Sequence, residues 1–144
     1  MTDSPHKMLP LPDADTRFFW EAGKDGVLRI LGCNSCNHLI QPPTPVCPKC
    51  LSRDVAPRDM SGRGTVWSFT VNVHPWFPDM KLPYILASVE LDEQPGLRLT
   101  THVTDIDPRE VTIGMPVEVY FREEEDVWIP SFRPPAGGTA PAGR

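Results

Sequence analysis

No cysteine lies outside residues 33–50 of this 144-residue chain. A disulfide framework for a small secreted domain would spread its cysteines more widely. The opening, MTDSPHKMLPLPDAD, also holds no apolar signal run, so a reducing cytoplasm is the expected setting. No apolar stretch approaches the ~18–20 residues needed to span a bilayer. Basic clusters are missing too: 14 Lys and Arg are scattered among 19 Asp and Glu, for a net charge of −5. There is no G-x-S-x-G, no glycine-rich phosphate loop and no internal repeat. These absences argue against a self-contained active site. Ser68 and His74 could be drawn as a dyad, but six residues along a strand span about 20 Å.

Proline, by contrast, is abundant. Eighteen residues are more than twice the usual share of about 5%, which disfavours long helices and favours stiff loops. The chain length permits one compact unit or two very small ones. Residues 1–12 and 134–144 (PPAGGTAPAGR) carry little that could pack, and both are expected to be flexible tails.

Residues 33–50 read CNSCNHLIQPPTPVCPKC. Cys33 and Cys36 make one C-x2-C pair, Cys47 and Cys50 a second, with ten residues between them. Each pair wraps its backbone around one ion, so the two offer four thiolates to a tetrahedral centre. Zinc with sulfurs at about 2.3 Å is the usual occupant. Iron in a rubredoxin-like site uses the same donors, although the ten-residue gap is short for it. A full set of protein ligands leaves no position for water or substrate, so this zinc is expected to be structural. Asn37 suits the left-handed turn that a tight knuckle requires. Pro42, Pro43 and Pro45 stiffen the link between the pairs. His38 is a bystander.

Around this centre the chain divides into three. DADTRFFWEAGKDG, residues 13–26, reads as a short helix with an Asp or Thr cap and a glycine stop. Phe18, Phe19 and Trp20 make it apolar nearly all round, and so short a helix is marginal alone. It must lie against a partner protein or against its own ribbon. The ribbon, residues 27–60, is expected to carry strands at 27–32, 39–41 and 55–60. Residues 61–133 hold five runs of alternating character: SGRGTVWSFTVNVHP, PYILASVELDE, GLRLTTHVTDI, MPVEVYFREEE and VWIPSFRP. Period-two alternation in five short runs predicts five strands. They suit a closed barrel of the oligonucleotide/oligosaccharide-binding type (OB-fold), with DPREV at 107–111 joining strands three and four.

HPWFPDMKLPY, residues 74–84, joins the first two barrel strands, and that loop binds ligands in OB-folds generally. Trp76 and Phe77 sit between Pro75 and Pro78, which limits how far the rings can fold back into the core. They can anchor an interface or line a ligand channel; the competing role is to cap the barrel. His74 belongs to the same loop, and Lys81 could meet a phosphate of coenzyme A. Zinc ribbons and OB-folds also bind nucleic acid, but EEED at 123–126 and DEQ at 92–94 would repel a phosphate backbone, and Arg58 and Arg63 are too few to offset them. Stacking of bases would require the rings of Trp67 and Phe69 to lie outside.

The whole layout resembles a family of zinc-ribbon and OB-fold proteins, long labelled a domain of unknown function, that accompany thiolases and related acyl-CoA enzymes. The resemblance covers about residues 15–134. It rests on FFWEAGKDG, the order of CNSC and CPKC, then SGRGTVWSFTV, PYILASVEL, IGMPVEVYF and IPSFRP. Asn37-His38 is a departure, since the family more often has glycine after the second cysteine. The resemblance implies a non-catalytic accessory subunit for acyl-CoA chemistry. Partners in such a family include aldolases that shorten the side chains of steroid-CoA thioesters, thiolase-fold enzymes and hydratase-fold proteins. The alternative is a free-standing module that binds acyl-CoA or single-stranded nucleic acid.

Overall fold

Asp13 opens the first turn of the helical segment. Its carboxylate accepts the Thr16 N–H at 2.9 Å and the Asp15 N–H at 3.0 Å, a tight turn that feeds helix α1 (Arg17–Glu21). This is a computed structural model that describes residues 8–135. The parts of the two expected tails at 1–7 and 136–144 lie outside the described residues.

The helical segment differs from the expected single helix. Five residues are α-helical, and Ala22–Asp25 continue as a 3-10 turn that ends on Gly26 in the left-handed region. The cause is close packing at Gly23. A Cβ there would stand 2.4 Å from the Trp128 Cβ and 2.6 Å from the Phe121 ring. Only a bare backbone can approach that closely. Phe19 and Ala22 are buried, and Phe18 and Trp20 are half-buried. Phe19 is therefore a core residue and offers no surface to a partner protein. The segment also packs mainly on the barrel's last two strands and not on the ribbon alone. Gly23→Ala should destabilise the fold by about 1–3 kcal/mol, as overpacking of a filled site does, read as a lower melting temperature with the metal still bound.

Strands β1 (Leu28–Cys33), β2 (Leu39–Ile40) and β3 (Val55–Met60) form an antiparallel sheet in the order β2-β1-β3. The barrel follows: β4 (Arg63–Asn72), β5 (Tyr84–Leu91), β6 (Arg98–Val103), β7 (Pro116–Glu124) and β8 (Val127–Arg133). Its order, β4-β5-β6-β8-β7, closes on itself. All neighbouring pairs are antiparallel except β6 with β8, which meet in parallel at Val103 and Phe132. This is the OB-fold expected from five short alternating runs. The DPREV link is a 3-10 turn, Pro108–Glu110, capped by the Asp107 side chain.

Alternation fails in one informative place. Val66, Phe69 and Val71 all pack toward the core, although 66 and 69 have unlike parity. A β-bulge between Val66 and Ser68 absorbs the extra residue and turns Trp67 outward.

Ribbon and barrel share a core. Leu28, Ile30, Leu39 and Met60 from the ribbon cluster with Val66, Val89, Val117 and Phe132 from the barrel. Gln94, in the β5–β6 turn, fastens the two further. Its Oε1 accepts the Leu39 N–H at 2.9 Å, and its Nε2 donates to the Leu39 carbonyl at 3.0 Å. One side chain thus pairs with β2 as a neighbouring strand would. Among the described residues, no helix is long and apolar enough to cross a membrane.

Candidate metal centre and exposed loop

The two knuckles repeat one local design. In the first, the Asn37 N–H donates to the Cys33 carbonyl at 2.8 Å; in the second, the Leu51 N–H donates to the Cys47 carbonyl at 2.9 Å. Both Asn37 and Leu51 have φ +66°, so the chain reverses in the left-handed region each time. Asn37 takes the conformation expected of it. Its counterpart Leu51 gives no such signal in the sequence, because leucine rarely adopts that conformation.

The turns bring Cys33, Cys36, Cys47 and Cys50 together, with all four sulfurs within 4.8 Å of one another. Cys33 and Cys50 Sγ are 3.5 Å apart, Cys36 and Cys47 Sγ 3.7 Å. Four thiolates at about 2.3 Å from one zinc would stand about 3.8 Å apart, so the cluster has the right size. Its proton chemistry agrees. Burial opposes ionisation of Cys33, but N–H groups of Cys36 and Ser35 and the neighbouring thiols outweigh it and hold the thiol near 6. At Cys50 the Ser52 N–H favours the thiolate, yet the Cys33 thiol, burial and the other two sulfurs push it up to about 12. Four sulfurs this close cannot all be anionic unless a cation sits among them. A dication takes the place of the shared protons, and the residues present fit zinc. With four sulfur ligands it supplies a crosslink and no Lewis-acid chemistry.

Arg58 braces the first knuckle from β3. Its Nη2 donates to the Cys33 carbonyl at 2.9 Å, and to Asn34 Oδ1 at 3.1 Å and Asn37 Oδ1 at 3.3 Å. Its side chain crosses Gly32, where a Cβ would meet Arg58 Cγ at 2.6 Å. The sequence marks Arg58 only as a stray cation; the hydrogen bonds make it part of the ribbon.

The other candidate residues fall in two places, the β4–β5 loop and the helical segment, where Phe18 packs against the cluster that holds Cys33 and Cys47. In the β4–β5 loop, Trp76 is 64% exposed and Phe77 43%, with Leu82 and Val73 also exposed. His74 packs edge-on against Trp76 with ring centroids 4.7 Å apart, and its carbonyl accepts from Asn72 Nδ2 at 3.1 Å. Lys81 is exposed in the same loop. Thus His74, Trp76, Phe77 and Lys81 share one loop, while Phe18, Phe19 and Trp20 pack in the helical segment. The barrel's outer face adds two pairings that sequence alone did not reveal. Tyr84 stacks on His102 at 5.2 Å, and Arg98 lies 3.6 Å above the Trp67 ring while pairing with Glu90. Burial and the Arg122 cation hold the His102 imidazole below its ordinary value. Phe69 faces inward, and one face of Trp67 is already covered, so the two rings do not form a platform for bases.

Comparison with known proteins bears on both parts. Residues 20–56 match the family model described as the ChsH2 rubredoxin-like zinc ribbon domain, and residues 57–122 match the ChsH2 C-terminal OB-fold domain. A probable enoyl-CoA hydratase alpha subunit of Thermomonospora curvata is 39% identical over 133 residues, covering 90% of this chain and 41% of that protein. The 3-oxo-4,17-pregnadiene-20-carboxyl-CoA hydratase alpha subunit of Mycobacterium tuberculosis is 36% identical over 88% of this chain and 40% of that protein. The chain therefore spans about two fifths of the length of these two relatives. A DUF35 domain-containing scaffold protein of Pyrococcus furiosus is 35% identical, covering 73% of this chain and 76% of that protein. Among solved structures, a chain described as Ltp2-ChsH2(DUF35) aldolase superposes with a TM-score of 0.79 at 39% identity. It covers 88% of this chain and 98% of that one. The four cysteines fall within the matched ribbon segment and most of the barrel within the matched OB-fold segment: the chain belongs to the DUF35 family, in the ChsH2-type arrangement of a rubredoxin-like zinc ribbon followed by an OB-fold domain.

Proposed function

We propose that this chain is a non-catalytic accessory subunit that binds a thiolase-fold or aldolase enzyme acting on acyl-CoA thioesters. The observation that carries this reading is the likeness along almost the full length of the Ltp2-ChsH2(DUF35) aldolase chain. Relatives named as scaffold proteins agree with it. So does the chemistry: the strongest ligand cluster among the described residues is a closed four-sulfur centre, which holds shape and does not turn over substrate. The steroid-CoA hydratase name of one relative favours lipid or steroid side-chain thioesters, with a hydratase-fold protein as a second partner.

Within this reading the β4–β5 loop is the contact surface. Trp76 and Phe77 supply apolar area on a loop stiffened by Pro75 and Pro78, so little entropy is lost on docking. Lys81 offers a cation to a phosphate of coenzyme A if the loop also lines the acyl-CoA channel.

The test is co-expression with the thiolase-fold enzyme encoded nearest to this chain in its genome, followed by size-exclusion chromatography and a thioester assay. The expected result is a single co-eluting complex whose activity depends on this subunit. Separate elution, with enzyme activity indifferent to the chain, would overturn the reading. So would thioester turnover by this chain alone.

A further inference from the structure

The second knuckle carries a residue that the fold itself does not explain. Leu51 has φ +66° and is 75% exposed. Left-handed backbone strains any side chain with a Cβ, and Asn or Gly relieves that strain most readily. The first knuckle solves the identical turn with Asn37 at the matching position, four residues past its leading cysteine. Leucine therefore gains nothing from its backbone, and it joins neither hydrophobic cluster. Strain retained at an exposed apolar residue points to a role outside the chain.

Its surroundings say what would meet it. Lys49 and Arg53 flank Leu51, both are exposed, and among the described residues neither pairs with a carboxylate. The nearest acid in sequence, Asp54, is engaged by the Asn34 amide at 3.0 Å. On a chain of net charge −5 this tip is locally cationic. It is also rigid. The Ser52 carbonyl accepts the Cys47 N–H at 2.8 Å, and the hydroxyls of Ser35 and Ser52 join the two knuckles at 2.9 Å. The zinc site beneath holds both turns in place.

We propose that this tip is a second docking point, at which Leu51 enters an apolar socket on the enzyme partner and carboxylates at the socket's rim meet Lys49 and Arg53. The proposal rests on the accessory-subunit reading above. It adds a contact on the ribbon, separate from the aromatic loop of the barrel. Two rigid points on one body would fix the partner's orientation as well as its affinity.

The experiment compares Leu51→Asn and the double variant Lys49→Glu/Arg53→Glu with the unaltered chain. Zinc content, melting temperature and calorimetric affinity for the same thiolase-fold enzyme are measured at low and moderate salt. Leu51→Asn is expected to keep one zinc and melt higher, yet bind roughly tenfold or more weakly. The double variant should bind more weakly at low salt and lose much of the salt dependence. If Leu51→Asn melts higher and binds like the unaltered chain, the tip is not a docking point, while the accessory-subunit reading stands. If the unaltered chain does not bind the enzyme at all, that reading fails and this proposal falls with it.

Discussion

Cys47→Ser should lose the metal and, with it, the ordered ribbon. The expectation follows from how little else holds these residues. Cys47 is fully buried, and the small cluster around it has Leu31, Ile40, Cys33 and Cys47 itself as its buried members, with only Phe18 and Val55 packed against them. Half of those buried members carry metal-binding sulfur. So few apolar side chains on a small three-stranded sheet cannot offset the conformational entropy of some twenty ordered residues at about 1–2 kcal/mol each. Metal binding supplies the missing term, of order 10 kcal/mol or more in isolated zinc peptides. Removing one thiolate also leaves the other three crowded without their fourth partner. Metal analysis should fall from one zinc per chain toward none.

The damage should not stop at the ribbon. Leu28, Ile30 and Leu39 belong to the same cluster as the barrel's Val66, Val89 and Phe132. Gln94 would lose both of its backbone partners on β2. A strong chelator applied to the unaltered chain should reproduce the variant's loss of near-UV signal and lower melting temperature. A chain that stays fully folded after complete metal removal would show that the centre is not what orders it.

How much of this was legible before the fold was seen depends on how local each cause is. Period-two patterns in β5 and β6 are set by adjacent residues facing opposite sides of a pleat, so Tyr84–Leu91 and Arg98–Val103 could be placed closely. The cysteine pairs were legible for a similar reason, since two residues between thiols suffice to wrap an ion. The bulge at Trp67 was not, because it depends on what β5 presents opposite it. The helix was foreseen as one element because DADTRFFWEAGKDG carries helical signals throughout. Its second half tightens into a 3-10 turn against Phe121 and Trp128, about a hundred residues further along the chain. Arg58, Gln94 and Leu51 escaped for that same reason. Each acquires its role only from a partner or a conformation that the fold creates, and a lone Arg, Gln or Leu in sequence signals neither.

Trp76→Ala should cost the subunit most of its affinity for an enzyme partner while leaving its own fold intact. Two roles for the ring predict opposite patterns, so the result discriminates between them. A ring that caps the barrel's end would be largely buried, and its removal would cost about 3–5 kcal/mol of stability. Trp76 is 64% exposed, touches the exposed His74, and belongs to neither hydrophobic cluster. Truncating such a residue should change stability by no more than about 0.5 kcal/mol. An aromatic anchor at the centre of an interface is worth about 2–4 kcal/mol, or roughly 30- to 1000-fold in affinity. Phe77→Ala should act in the same direction but less strongly, because Phe77 is already partly covered by its own chain. Melting curves and calorimetry on both variants, each with zinc still bound, separate the cases. A melting temperature that falls by several degrees with unchanged affinity would return both rings to the barrel's own packing, and the loop would no longer be the contact surface.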